Sequence, residues 1–119
     1  MEQRKWLNSA EQCKANLAAV GDALYAIGGK WKLMIIVALM DHPKRFNELQ
    51  RTVTGISARV LSNELKDLEL NGFVSRTVNN QYPVVVEYSL TEYSLSLEDV
   101  LKALGVWGKM HRERIRKMK

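Results

Sequence analysis

The sequence predicts a mainly α-helical fold with one small β-hairpin, an α+β chain that forms a single domain over residues 1–119. Apolar residues recur at spacings of three and four along several segments, as on the buried face of a helix. Two consecutive segments near residue 80 are instead rich in β-branched and aromatic residues, as in paired strands. With 119 residues and 46% hydrophobic content, the chain can build one core but not two.

The sequence predicts one helix in the N-terminal segment, preceded by an irregular arm. Residues 1–15 are polar without a clear period, which favours a loose arm or a short helix. Helical spacing begins at Asn16, with apolar residues at Leu17, Val20, Leu24 and Ile27. Gly28 and Gly29 then supply the residues that commonly end a helix.

Residues 31–40 predict the central core helix, because they are apolar nearly all round and so suit a helix buried on most sides. Asp41, His42 and Pro43 end it, since proline cannot continue a helix. Residues 44–46 are short enough for a minor strand.

Two further helices follow, joined by a short turn that contains glycine. Asn47 can cap the first, with Gln50 in the place that a capping box requires, and the helix ends near Val53. Ser57 can cap the second, which runs to Asn71 and Gly72 with one apolar face. This arrangement predicts a helix-turn-helix motif.

The remaining chain predicts a hairpin and a last helix. Strands are expected over residues 73–78 and 84–90, with a turn between them, and Thr91 can cap a long final helix. The element order is that of a winged helix-turn-helix over residues 31–90, preceded by an arm and helix (1–30) and followed by a long helix and basic tail (91–119).

The net charge of +5 is confined to the C-terminal tail. From Lys109 onwards the chain holds six basic residues against one acidic residue, and the rest of the sequence is neutral. Two interpretations remain open for the tail: a solvated, partly frayed end, or a source of non-specific attraction to phosphates.

Several functional classes are excluded by composition. A single cysteine, Cys13, permits neither an internal disulfide nor a thiolate cluster, and with only two histidines besides we expect no metal centre. Glycine-rich phosphate loops, metalloprotease motifs and paired nucleophile and base are missing from the sequence, so we expect no enzyme and no cofactor. No apolar run reaches the length of a membrane span and the N-terminus has no export signal, so a cytoplasmic location without a membrane partner is expected.

The helix from Ser57 predicts double-stranded DNA as the partner. Once its apolar face is set aside, the residues left are short, small or basic: Ser57, Ala58, Arg59, Ser62, Asn63 and Lys66. Arginine and asparagine can pair with base edges in the major groove, while serine and lysine suit phosphates. The alternative is that any exposed helix face is polar.

Further candidates for DNA contact flank this helix. The predicted wing offers Arg76 for a phosphate and Asn79, Asn80 and Gln81 at its tip, although such tip residues are also ordinary turn formers. Lys44 and Arg45 precede the first helix of the motif, where contacts to the DNA backbone are expected; ordinary solvation is their alternative.

Five ordered motifs resemble the HxlR-type, MarR-like regulators. They are IGGKWKL at 27–33, KRFNEL at 44–49, GIS at 55–57, VLSNELKDLE at 60–69 and VEYSLT at 86–91. The resemblance implies a winged-helix homodimer that binds operator DNA, with recognition assigned to residues 57–66 and the wing to 76–86. It also implies that the N- and C-terminal helices form the dimer interface. Ser94 departs from the family pattern, which commonly has glycine there.

The last helix supports a homodimer independently of that resemblance. Val100, Leu104 and Trp107 give it more apolar surface than a domain of this size needs to bury alone, and Leu17 adds to that surface from the first helix. Alternatively, the last helix folds back onto its own core.

Cys13 is the one candidate for sensing. The resemblance implies a thiol sensor ahead of the Gly-Lys-Trp stretch, whereas the residue itself also fits a partly buried structural cysteine.

Three functions follow as hypotheses. The first is a sequence-specific transcriptional regulator that binds a palindromic operator as a homodimer. The second is a winged-helix protein-interaction module, and the third is a redox- or electrophile-sensing repressor that uses Cys13. The sequence identifies no effector.

Overall fold

The computed structural model describes residues 9–118 and contains five α-helices, one 3-10 helix and a two-stranded antiparallel sheet. In chain order the elements are α1 (Ala10–Ile27), α2 (Lys32–Ala38), α3 (Phe46–Thr52), α4 (Ala58–Leu70), β1 (Val74–Asn79), β2 (Val85–Leu90), the 3-10 helix (Glu92–Leu97) and α5 (Glu98–Lys117). The predicted mainly helical fold with one hairpin is confirmed.

Helix α1 is longer than the apolar spacing predicts. It begins at Ala10 instead of Asn16, because the Ser9 hydroxyl accepts a hydrogen bond from the Gln12 backbone N–H at 3.0 Å and so caps the helix. Only Ile27 at its far end is buried, so α1 projects from the core with most of its surface exposed.

The core lies between α2, α3, α4 and the start of β1. Seven of its side chains are almost completely buried: Ile35, Ile36, Leu49, Leu61, Leu65, Leu68 and Val74. They come from every element of the winged-helix core except β2, whose Tyr88 and Leu90 pack against the same cluster.

The prediction that α2 is buried on most sides is wrong. Ile35 and Ile36 are inaccessible to solvent, but Met34 and Val37 on the other side are 43% and 52% exposed. The helix therefore has two apolar faces, of which the core covers one.

The hairpin pairs Val74 with Leu90 and continues in register to Asn79 and Val85. Lys44 forms an isolated antiparallel bridge with Tyr88, through backbone hydrogen bonds of 2.8 and 3.0 Å. The minor strand predicted near residues 44–46 is thus reduced to a single bridge at the edge of the hairpin.

Thr91 caps the 3-10 helix, and not the long last helix, by accepting from the Ser94 backbone N–H. Ser94 is buried, and its hydroxyl donates to the Phe73 carbonyl, a bond that a glycine could not make. Helix α5 starts only at Glu98 and stays helical to Lys117, so the basic tail is a regular helix over that range instead of a frayed end.

Candidate nucleic-acid interface

The turn between α3 and α4 fixes where the candidate recognition helix begins. Gly55 adopts a φ of +90°, which side chains other than glycine rarely tolerate. The Gln50 side chain donates to the Ile56 carbonyl at 3.3 Å across the turn, and the Ser57 hydroxyl accepts from the Val60 N–H at 3.1 Å. The predicted Ser57 cap is therefore present; α3, by contrast, starts at Phe46 without the predicted Asn47 cap.

Helix α4 presents three different faces. Leu61, Leu65 and Leu68 form the buried face. The second face carries the residues predicted to meet DNA; five of them are exposed and Ser62 is partly buried: Ser57, Ala58, Arg59, Ser62, Asn63 and Lys66. The third face holds Glu64 and Asp67, turned toward α2.

A cleft of about 430 Å³ separates the second face of α4 from the hairpin. Ser62 and Lys66 line it from the helix and Arg76 from β1, with Leu65 and Tyr88 also in its walls. The fold therefore brings the predicted helix and wing cations to one place. Glu69 lines the same cleft, so the cleft carries a negative charge beside the two positive charges of Lys66 and Arg76.

The wing tip is exposed over Asn79, Asn80 and Gln81. The Asn79 side-chain oxygen accepts from the Gln81 backbone N–H at 3.0 Å, so Asn79 acts as a turn former in this structure.

The prediction that Lys44 contacts the DNA backbone is wrong. Lys44 is 4% exposed, and its Nζ donates to the Ala38 carbonyl at 2.5 Å and to Asp41 Oδ1 at 2.6 Å. The Lys44 ammonium group is thus hydrogen-bonded within the protein, to the carbonyl at the end of α2 among others. Lys44 therefore cannot serve as a phosphate contact. Hydrogen bonding to Lys44 also lowers the pKa of Asp41 below its ordinary value. Arg45, the next residue, is exposed as expected.

Lys32 is a charged residue near the site that sequence reasoning missed. Its Nζ lies 2.9 Å from Glu64 Oε1 and 3.6 Å from Asp67 Oδ2, and both the Lys32 and Glu64 side chains are largely shielded from solvent. The hydrogen bond to Glu64 raises the pKa of Lys32, with smaller contributions of the same sign from Asp67.

Three helices carry exposed apolar surface. Leu17, Val100, Leu104 and Trp107 are 69%, 46%, 48% and 57% exposed, respectively. Leu104 also lines a groove of about 560 Å³ between α2 and α5, together with Met34 and Val37. Leu101 near the start of α5 packs against the core, but Val100, Leu104 and Trp107 do not, so the alternative in which this apolar stripe folds back onto its own core is wrong.

Cys13 lies exposed in α1, so the alternative of a partly buried structural cysteine is also wrong in this chain. Among residues 9–118, no group of three or more histidine, cysteine, aspartate or glutamate side chains is placed to hold a metal ion. Nor does any helix of that range have the length and apolar content needed to cross a lipid bilayer.

Residues 26–116 match the family model described as HxlR-like helix-turn-helix. The uncharacterized HTH-type transcriptional regulator YtcD of Bacillus subtilis is 42% identical over 88% of this chain and 82% of its own length. The structure of the redox regulator HypR in its reduced form superimposes with a TM-score of 0.77 at 39% identity, over 83% of this chain and 98% of that one.

The diamide-treated YodB of Bacillus subtilis is a further similar structure, with a TM-score of 0.65, 39% identity and coverage of 76% of this chain and 89% of that one. The winged helix-turn-helix predicted from the sequence is the fold that these regulators share. The chain belongs to the HxlR-like helix-turn-helix family of transcriptional regulators.

Proposed function

We propose that this regulator binds a two-fold symmetric operator as a homodimer, with α4 of each subunit in the major groove and the hairpin against the adjacent backbone. The observation that carries the proposal is the face of α4 that remains outside the core: it presents Arg59 and Asn63 in the open, beside the cleft shared with Arg76. A dimer places two such helices about one helical turn of DNA apart.

The second copy is supported by the apolar surface on α1, α2 and α5. An exposed stripe of this kind is normally covered by a partner, and a symmetric dimer covers it with the same surface of the other subunit. The groove beside Leu104 gives the partner a recess into which side chains can pack.

Arg59 offers the sharpest test of base recognition. In a fluorescence anisotropy titration with the protein's own upstream DNA, Arg59→Ala should lose about 1–3 kcal/mol of operator binding, because a bidentate contact to guanine contributes that much discrimination. Arg59→Lys is the matched control, since it keeps the charge but not the fork-shaped donor pair.

A specific result is expected from that pair. Both variants should lose operator preference, and Arg59→Lys should retain its affinity for a scrambled duplex. Unchanged operator binding by Arg59→Ala would show that α4 is wrongly assigned as the recognition helix.

Salt dependence separates DNA binding from a winged helix used for protein contact. Binding that neutralises phosphates weakens steeply as salt rises, whereas a mainly apolar protein contact does not. A protein with no measurable affinity for duplex DNA at low salt would favour the interaction module.

We also propose that Cys13 makes the regulator responsive to thiol oxidants. Its thiol is exposed and lies four residues before Leu17, on the same face of α1 as the apolar stripe. Two of the similar structures support this proposal: one is of the redox regulator HypR, and the other is of YodB after treatment with diamide.

Diamide tests this second proposal. Two Cys13 thiols would give up two protons and two electrons to the diazene, leaving one disulfide between subunits and one hydrazine. A linked dimer on a non-reducing gel, together with changed operator affinity, is expected for the wild type and not for Cys13→Ser. If wild type and Cys13→Ser respond to diamide in the same way, the proposed role of Cys13 is refuted.

A further inference from the structure

We propose that Lys32 is a positioning residue for DNA recognition: its ion pair with Glu64 and Asp67 fixes the orientation of α4, and thereby the preference for operator over other DNA. The inference rests on the proposed function, since it concerns how the same helix is held against the groove.

The pair joins the first residue of α2 to the middle of α4. Lys32 Nζ is 2.9 Å from Glu64 Oε1 and 3.6 Å from Asp67 Oδ2, so one ammonium group holds two carboxylates that lie one helical turn apart. The exposed fractions of the Lys32 and Glu64 side chains are 14% and 17%, which limits how far water can screen the contact.

Packing of the apolar face is only one of the constraints on the orientation of α4. Leu61, Leu65 and Leu68 hold that face, but hydrophobic attraction is itself non-directional. A hydrogen-bonded ion pair on a second face opposes rotation of the helix about its axis, because it tolerates only a narrow range of distances and angles.

The base-reading side chain nearest the ion pair depends on that orientation directly. Asn63, which can pair with a base edge, immediately precedes Glu64 in the chain. The carboxylate that lies nearest Lys32 therefore has a predicted base-contacting residue as its neighbour. A small rotation of α4 would move Asn63 out of hydrogen-bonding range of its base.

A purely electrostatic role makes a different prediction. Lys32 also neutralises two acids on the helix that approaches DNA, and its loss would add repulsion toward phosphates. That repulsion would weaken binding to any duplex alike and fade at high salt, whereas loss of orientation would reduce binding to the operator only.

The experiment compares anisotropy titrations of an operator duplex and a scrambled duplex of equal length. We expect Lys32→Met to lower operator affinity about tenfold, a change of about 1.4 kcal/mol, while affinity for the scrambled duplex stays within about twofold. Lys32→Arg, which can still pair with Glu64, should restore most of the preference.

Lys102→Met is the matched control, because it removes the same charge from an exposed pair with Glu98 on α5. It should leave the ratio of operator to scrambled affinity unchanged. Circular dichroism checks that the variants are folded, and if Lys32→Met does not fold, Glu64→Gln tests the other end of the pair with little change in size.

Two outcomes would overturn the inference in distinguishable ways. A wild-type protein without operator preference would overturn the proposed function and this inference together. A wild type with that preference, and a Lys32→Met protein that keeps it or loses affinity equally for both duplexes, would overturn the positioning role alone.

Discussion

Replacing Lys44 by methionine should destabilise the protein without weakening its attraction to DNA. Methionine fills most of the space of the buried lysine stem but removes the ammonium group that donates to the Ala38 carbonyl. That carbonyl ends α2, and carbonyls in the last turn of a helix have no partner within the helix.

The magnitude follows from the Ala38 bond. A typical intramolecular hydrogen bond contributes about 1 kcal/mol, and leaving a shielded acceptor without a partner costs about 1–3 kcal/mol. Removing the buried charge recovers some desolvation energy, so a net loss of about 1–2 kcal/mol is expected. For a domain of this size that corresponds to a fall in Tm of roughly 4–8 °C.

The assay is thermal unfolding at one fixed protein concentration, paired with DNA titration at a temperature where both proteins are folded. Arg45→Ala is the matched control, because Arg45 is adjacent but exposed. It should change stability by under about 0.5 kcal/mol and should reduce the slope of affinity against salt by about one, as for the loss of one phosphate contact.

Measurement at acidic pH adds a second check on Lys44. Its hydrogen bond lowers the pKa of Asp41, so the folded state holds that proton less tightly than the unfolded state does. The resulting stabilisation is present above the ordinary value of 3.8 and is lost as the pH falls through the folded pKa. The stability difference between wild type and Lys44→Met should therefore narrow below that value; a Lys44→Met protein as stable as wild type at neutral pH would refute the reasoning.

Three further predictions concern the turn, the assembly and the tail. Gly55→Ala should lower the free energy of unfolding by about 1 kcal/mol in urea titrations, because alanine disfavours a φ of +90°. An unchanged free energy of unfolding would show that the turn does not require this φ. Leu104→Glu should shift the protein toward monomer in light scattering, since it places a charge in the apolar groove; an unchanged mass would exclude that groove from the interface. Lys109→Gln with Arg112→Gln should lower affinity for operator and scrambled duplexes equally, and an effect on the operator alone would contradict a non-specific role.

Local signals in the sequence predicted the order of the α-helices and the hairpin correctly, but not the 3-10 helix before α5. Ser57 was identifiable as a helix cap because serine before an apolar face is a local pattern, and the structure has that cap. The start of α1 carries a comparable signal, since Ser9 with Gln12 three residues later has the form of a capping box. The starts of α3 and α5 were harder to place because Arg45 and Leu97, the residues before them, make no side-chain cap that a sequence pattern could indicate.

Long-range charge pairing could not be predicted in the same way. Lys32 and Glu64 are 32 positions apart, and nothing in either neighbourhood selects the other as a partner. Lys44 and Arg45 are adjacent basic residues that look equivalent in sequence, yet only Arg45 is exposed. Burial separates a structural lysine from a candidate phosphate contact, and burial depends on how α2 and the hairpin meet.

The apolar pattern of α2 explains why assembly was harder to predict than the core. Residues that face the core and residues that face solvent are equally apolar in this helix, so periodicity could not distinguish the two sides. Ile35, Ile36 and Leu39 are buried in the core and Leu33 and Ala38 pack partly against it, which leaves Met34 and Val37 for a second surface. Because Leu104 is exposed and lies outside the core, a change at Leu104 should disrupt the proposed dimer while leaving the winged helix folded. Operator affinity would then fall because each half-site binds a separate subunit, even though every candidate DNA-contacting residue is still present.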